Sequence, residues 1–311
     1  MKETRTNCRK YPYDAWLHWN VTDGCNLNCV YCFAFNDTRR KTAEMSKIDI
    51  PSLIRTLEKT NKIFRVQFTG GGEPFLVPNI IDACVALSKR HYLGFNTNLT
   101  SDKISELVEK IDPSKVVELH ASCHIKELER LNLLDMYIDN FMLCQEAGFK
   151  IQKVYEVAYP PLADEVQKYK KFFRKNGIKL EFLPFIGKYE SKEYPKSYTE
   201  EEFKVFDLKV LGSSGTAKHF QSENICNAGY NVGVLSPDGN IQTCWSINDT
   251  IGNIYEKIEF KKSMKVCPLE FCTCPLKVFD PYLFERALKE TAAASDKPGF
   301  ISRFASFIKN R

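Results

Sequence analysis

The sequence predicts an α/β protein: a partial, TIM-like (β/α)6 barrel followed by a small C-terminal cysteine-rich β-hairpin subdomain. Three observations carry this. Strand-like runs alternate with amphipathic helical stripes, the alternation repeats six times, and the composition changes after Gly212 to Gly215, where Ser236-Pro237-Asp238-Gly239 separates two strand-like segments.

Residues 15–21 suit a first strand and residues 63–68 a second. After Pro78 and Asn79, the residues Ile80, Ile81, Cys84, Val85 and Leu87 make the apolar face of a helix, and residues 93–96 a third strand. Ile104, Leu107, Val108 and Ile111 stand at i, i+3, i+4 and i+7, one helical stripe facing a core, before a fourth strand at 116–119. A stripe of Leu128, Leu131, Leu134, Ile138, Phe141 and Met142 runs until Gly148 stops it, and residues 151–158 are strand-like up to Pro160 and Pro161. Val166, Tyr169, Phe172 and Phe173 form the next helical face, which ends near Asn176 and Gly177 and leads to a sixth strand at 178–183. Six right-handed crossovers that curl without closing leave an opening toward the C-terminal strand ends, where α/β folds bind ligands.

Four segments follow: an extension at 1–14, the barrel at 15–211, the cysteine-rich subdomain at 220–280 and a helical tail at 281–311. The tail ends in Phe300, Ile301, Phe304, Phe307 and Ile308 among Arg303, Lys309 and Arg311, a basic amphipathic stripe whose commoner fate is packing on the body of the protein rather than on a membrane.

Composition excludes several classes. In 311 residues, 43% hydrophobic and 27% charged side chains describe an ordinary globular chain, and the net charge of +5 is spread without the basic runs of a nucleic-acid arm. Residues 1–10 are polar and no secretory apolar stretch or membrane-spanning run follows, so no transmembrane segment is predicted and a cytoplasmic location is. Twelve cysteines are too few for a disulfide scaffold, and in a reducing cytosol clustered thiols hold metal. Cys8, Cys84, Cys123 and Cys144 stand apart from two clusters.

The first cluster is Cys25, Cys29 and Cys32, directly after the first strand. A cube of four irons and four sulfurs (4Fe–4S) normally takes four thiolates, so three leave one iron open to a ligand. A zinc site completed by His18 or a distant thiol uses the same donors and is the alternative. The second strand ends in Thr69-Gly70-Gly71-Gly72-Glu73-Pro74, where glycines admit close backbone approach and Glu73 offers an acceptor to an ammonium group.

The two motifs together, in this order and separation, resemble the radical S-adenosylmethionine (radical SAM) superfamily. The resemblance implies a 4Fe–4S cluster on Cys25, Cys29 and Cys32 whose open iron binds S-adenosylmethionine, and reductive cleavage to a 5′-deoxyadenosyl radical that takes hydrogen from a substrate C–H. It implies that Gly71, Gly72 and Glu73 meet the methionine end, Tyr31 the adenine and Ser122 the ribose. Thr97 and Asn98 end the third strand as in many members, with Leu99 where glycine is frequent. No catalytic side chain is assigned; His120 and His124 flank the fourth strand end, where a lone histidine is more often structural.

The second cluster comprises Cys226, Cys244, Cys267, Cys272 and Cys274, the last three in a loop stiffened by Pro268 and Pro275. The Asp-Gly hairpin returns Cys244 toward Cys226. This segment resembles the twitch subdomain, or a shortened SPASM domain, of part of the superfamily, and implies one auxiliary 4Fe–4S cluster from four of the five thiols; a four-cysteine zinc site is the alternative. The implied function is radical modification of a peptide by oxidation or crosslinking, with dehydrogenation of a sugar or cyclitol alcohol as the second reading. The implied partners are a low-potential electron donor such as a flavodoxin or ferredoxin, and a peptide or small-molecule substrate, with no nucleic acid. The rival from another class is a non-catalytic zinc or iron–sulfur protein.

Overall fold

Strand β1 (Ala15–Asn20) begins the barrel in the computed structural model, which describes residues 12–32, 47–208, 219–220, 225–269, 271–272 and 280–293. There follow α1 (Ile50–Lys59), β2 (Phe64–Thr69), α2 (Ile80–Ser88), β3 (Tyr92–Thr97), α3 (Lys103–Lys110) and β4 (Val116–Ser122). Two helices, α4 (Ile125–Arg130) and α5 (Leu134–Glu146), precede β5 (Ile151–Ala158), α6 (Val166–Lys175) and β6 (Leu180–Pro184). The six β/α units of the sequence are all present, their strands parallel and in chain order.

Local chemistry explains the elements that pattern alone leaves out or merges. Helix α1 starts where the Asp49 carboxylate accepts from Ser52 N at 3.1 Å, with a proline in its first turn, and buries Leu53 and Leu57. The stripe predicted from Leu128 to Met142 is two helices, because Asn132 takes φ 55° between them, and Met142 is left 37% exposed.

Beyond β6 come a short hairpin, β7 (Gly187–Tyr189) and β8 (Lys192–Tyr194), then α7 (Glu200–Phe206), which opens with a capping box between Thr199 and Glu202. Next are β9 (His219–Phe220), β10 (Ile225–Cys226), β11 (Val232–Leu235), β12 (Asn240–Cys244), β13 (Ile247–Asn253), β14 (Lys257–Ile258), β15 (Lys265–Val266), β16 (Phe271–Cys272) and helix α8 (Pro281–Ala293). The predicted hairpin is β11–β12, turning at Gly239 with φ 83°.

That hairpin is continuous with the barrel sheet. β11 pairs in parallel with β1, Trp16 opposite Val232 and Trp19 opposite Leu235, so the sheet runs β14-β13-β12-β11-β1-β2-β3-β4-β5-β6. Strand β1 thereby has partners on both edges, and all four residues of β11 are buried.

Alternation along the strands sorts their side chains. Toward the helices go Leu17, Trp19, Phe64, Val66, Phe68, Leu93 and Phe95, with Trp19, Phe68, Phe95 and Phe75 stacked in a line at 5.4–5.7 Å. The alternate positions carry His18, Arg65, Gln67, Asn96, Glu118 and His120, so the inner face is polar where a closed barrel would be filled with branched apolar residues. Helix α8 packs Leu283 with Tyr13, Trp16, Val232 and Val234, and its first turn is capped by Asp280, which accepts from Leu283 N and from the Tyr13 hydroxyl.

Among the described residues no helix is long and apolar enough to cross a membrane. Cys8, Cys274, the predicted linker at 212–215 and the stripe from Phe300 to Ile308 lie outside the described residues.

Candidate active site

The loop after β1 carries the three cysteines across the C-terminal ends of the strands. Cys29 is buried, Cys25 and Cys32 half-buried, and Cys32 N donates to Cys29 O at 3.0 Å in a tight turn. Burial pushes the Cys29 thiol up, and its neighbours Cys25 and Cys32 push it further. Among the described residues no three His, Cys, Asp or Glu side chains stand close enough to share a single metal ion. An iron–sulfur cube instead takes one thiolate per iron, a demand that three cysteines spread along one loop fit.

Segments after β2 and β3, helix α4 and strand β5 hold this loop. From the end of β2, Glu73 N donates to Gly24 O at 2.8 Å. That approach requires glycine at 72: a Cβ there would stand 1.8 Å from the Gly24 carbonyl oxygen. At Gly71 the obstacle is only the Asp23 carboxylate, 2.3 Å away.

From the end of β3, Asn98 Nδ2 donates to Asn26 Oδ1 at 2.9 Å and lies 4.0 Å from Cys25 Sγ. Asn26 Nδ2 donates in turn to Thr100 Oγ1 at 2.8 Å, and Thr100 donates to Asn98 Oδ1 from its amide at 3.0 Å and its hydroxyl at 2.6 Å. Leu99 takes φ 54° and is fully buried; Asn140 Nδ2 holds its carbonyl at 2.8 Å.

From α4, Glu127 accepts from Asn28 N at 2.9 Å. From β5, Glu156 accepts from the Tyr31 hydroxyl at 2.9 Å, and His124 Nδ1 lies 3.1 Å from the same oxygen.

The Glu73 carboxylate is itself buried, 3% exposed, and accepts from Phe75 N at 3.1 Å, Thr97 Oγ1 at 2.7 Å and Asn98 N at 2.7 Å. Burial raises its pKa to about 7 against those three donors. Three of about four lone-pair sites are filled from within the protein. Ser122 is half-buried at the end of β4, opposite Tyr155 in the parallel register. His120 lies one pleat deeper on the same face, 3.9 Å from Glu118 and edge-on to Tyr155, and burial lowers its pKa. His18, on β1, is lowered to about 3 by burial and then by Arg65 and His120, and its Nδ1 has no hydrogen-bond partner. It does not reach toward the cysteine loop in any described contact.

The structure thus brings Cys25, Cys29, Cys32, Tyr31, Gly71, Gly72, Glu73, Thr97 and Asn98 to one end of the barrel. It adds Asn26, Thr100, Glu127 and Glu156, which motif spacing misses. For Glu156 a signal exists: Val154, Glu156 and Ala158 are the buried alternation of β5, and a carboxylate in a buried series needs partners.

The second cysteine group is partly described. Cys226 pairs with Lys265 in the β10–β15 ladder, which sets Cys267 two residues beyond that pair. The register Val234↔Gln242 carries buried Cys244 back toward Val232, whose bridge to Ala228 leads to Cys226. Cys272 pairs through its backbone with His219, while its side chain lies outside the described residues.

Residues 19–168 match the family model described as Radical SAM superfamily. Mycofactocin maturase MftC of Mycolicibacterium smegmatis is 23% identical over 268 residues, covering 76% of this chain and 67% of that protein. An uncharacterized protein of Methanocaldococcus jannaschii is 32% identical over 100 residues, and the match spans about a third of its length, 34%. Among solved structures, anSMEcpe with bound AdoMet and the Cp18Cys peptide superposes with a TM-score of 0.53 at 20% identity, covering 78% of each chain. Streptococcus suis SuiB bound to S-adenosylmethionine gives 0.53 at 16% identity over 82% of this chain and 67% of that one. These two superpositions show a shared fold.

Proposed function

This chain carries a radical SAM superfamily domain, and from that premise we propose that it modifies a peptide by taking hydrogen from one of its C–H bonds. The observation that carries the proposal is the seating of the three-cysteine loop against the Gly-Gly-Glu turn, where Gly72 leaves no room for a side chain and Glu73 N bonds Gly24 O.

Cys25, Cys29 and Cys32 would hold a 4Fe–4S cluster and leave one position for S-adenosylmethionine. When bound, that pair supplies reductive cleavage of the sulfonium to a 5′-deoxyadenosyl radical, which abstracts the hydrogen. The chain's part is position and environment. Backbone at Gly71 and Gly72 gives the methionine end a close surface, and the remaining lone-pair site of Glu73 suits an ammonium group. The Thr97 hydroxyl and Asn98 amide keep that carboxylate aimed. Tyr31 offers a ring for the adenine and Ser122 a hydroxyl for the ribose.

Four thiols from Cys226, Cys244, Cys267, Cys272 and Cys274 would hold one auxiliary 4Fe–4S cluster in a twitch-like subdomain at 220–280, after a core at 15–211. A low-potential donor such as a flavodoxin or ferredoxin would supply electrons. A peptide substrate is supported by two similarities: to a mycofactocin maturase, and in fold to anSMEcpe in complex with a peptide.

Anaerobic reconstitution tests the proposal. About eight irons per chain are expected for two clusters, with dithionite-dependent formation of 5′-deoxyadenosine. Alanine at Cys25, Cys29 or Cys32 should halve the iron and abolish the nucleoside. Tightly bound zinc with no nucleoside would instead support the metal-binding rival. Deuterated peptides, followed by mass spectrometry of the deoxyadenosine, identify whose hydrogen is taken.

A further inference from the structure

Glu156 carries no motif, yet like Glu73 it is a buried carboxyl group beside the cysteine loop that gathers three donors of its own. It is 1% exposed on β5, and the donors come from three segments: the Tyr31 hydroxyl at 2.9 Å, Ile125 N at 2.7 Å and Val157 N at 2.7 Å. A buried carboxyl is retained only when its partners offset desolvation, so its position is fixed by that set. Tyr31 is fixed in turn. With its proton on Glu156, its oxygen accepts from His124 Nδ1 at 3.1 Å, and its ring leans on Tyr159 at 5.3 Å. A tyrosine ring on a cofactor loop has two torsions to lose on binding a ligand, and here both are restrained beforehand.

We propose that Glu156 is a positioning residue for the nucleotide: through the Tyr31 hydroxyl it holds the aromatic ring, and the loop between Cys29 and Cys32, in the orientation that receives the base of S-adenosylmethionine. This rests on the reading that the cysteine loop holds a cluster and that nucleotide. No contact from Glu156 to the nucleotide is involved; its effect passes through Tyr31. A role confined to folding would instead show as lost stability with affinity intact.

The test is equilibrium binding of S-adenosylmethionine to the anaerobically reconstituted full chain, followed by the change in the cluster spectrum, with iron content measured on each sample. Tyr31→Phe keeps the ring and removes the tether, and should weaken binding about tenfold, the scale of one hydrogen bond to a carboxyl group, at unchanged iron content. Glu156→Leu should weaken it as much, and the double variant no more than the weaker single one, because both remove the same link. Glu156→Gln keeps an acceptor oxygen for Tyr31 and should recover most of the affinity.

Tyr31→Phe binding within twofold of the unaltered protein would overturn the inference, as would losses that multiply in the double variant. Should Glu156→Leu fail to fold, the comparison of Tyr31→Phe with Glu156→Gln still decides. Failure of the unaltered protein to bind the nucleotide sinks the functional reading itself, whereas normal binding with unaffected variants sinks only this inference.

Discussion

Glu73 and Asn98 tie the ends of two neighbouring strands together, the buried carboxylate after β2 accepting the backbone N–H of Asn98 after β3 at 2.7 Å. The same carboxylate takes the Thr97 hydroxyl at 2.7 Å, while Asn98 reaches on to Asn26 in the cysteine loop at 2.9 Å. Replacing Glu73 by alanine orphans three donors, two of them backbone, in a place water reaches poorly. The expected cost is about 3 kcal/mol, read as a lower urea midpoint at unchanged slope. A loss under about 0.5 kcal/mol would mean the latch contributes nothing to stability.

The adjacent glycines separate steric necessity from mere preference. Alanine at 72 would place Cβ 1.8 Å from a backbone oxygen that is itself bonded to Glu73 N, so the loop and the turn must part. Alanine at 71 meets the far end of the Asp23 side chain, which can swing away. Gly72→Ala should therefore lower reconstituted iron severalfold, and Gly71→Ala should leave it near normal. Equal iron contents in the two variants would contradict the geometry.

The six β/α units are legible because each strand and helix shows its own periodicity within a few residues, a local property. Helix α1 is equally local, with Asp49 as cap and Ile50, Leu53, Ile54 and Leu57 on one face. The pairing of β11 with β1 is different: which edge a hairpin joins depends on which edge the assembled barrel leaves open, and no spacing encodes that. The site divides the same way. Cys25, Cys29, Cys32 and Gly71 to Glu73 stand in short contiguous motifs, whereas the joining of Asn26 to Thr100, or Tyr31 to Glu156, follows from strand order alone.

Leu99 sits in a left-handed backbone conformation where glycine costs nothing and leucine about 1 kcal/mol. Its side chain is wholly buried, and deleting a buried leucine costs about 2–5 kcal/mol. The second effect is larger. Leu99→Gly should destabilise the protein by about 2 kcal/mol in urea unfolding, even though glycine suits that backbone conformation better; stabilisation would show that backbone strain dominates.

Inside the barrel, Arg65 on β2 reaches Glu118 on β4 at 2.6 Å, passing over β3 at Gly94, which stands between Gln67 and Glu118 in the register. The guanidinium also lies 4.2 Å from the centre of the Trp16 ring and donates to Gln67 at 2.9 Å. Removing one partner of such a pair strands a buried charge. Glu118→Ala should cost about 3–5 kcal/mol, and Gly94→Ala should also destabilise, because a Cβ there would stand 1.9 Å from Oε1 of Gln67, a buried side chain kept from swinging away by its bonds to Arg65 and Asn96. A Glu118→Ala variant as stable as the unaltered chain would show the pair to be neutral.

Two carboxyl groups beside the cysteine loop set how stability varies with pH. Burial lifts Glu156 from the ordinary glutamate value of 4.5 to about 8 and Glu73 from 4.5 to about 7. Between the unfolded and folded values the native chain binds more protons than the unfolded one, so the derivative of unfolding free energy with pH is negative. Their stabilising contribution is complete below about pH 4.5 and is lost as pH rises through the folded values, a direction opposite to that of a salt-bridged surface carboxylate. Urea unfolding of the apoprotein from pH 5 to 8.5, compared at each pH with Glu156→Gln, isolates one group because glutamine does not titrate. The stability difference between the two proteins should shift against the unaltered chain as pH rises. A difference that is flat, or that grows in its favour, would show that Glu156 stays ionised in the fold and that its three donors outweigh its burial.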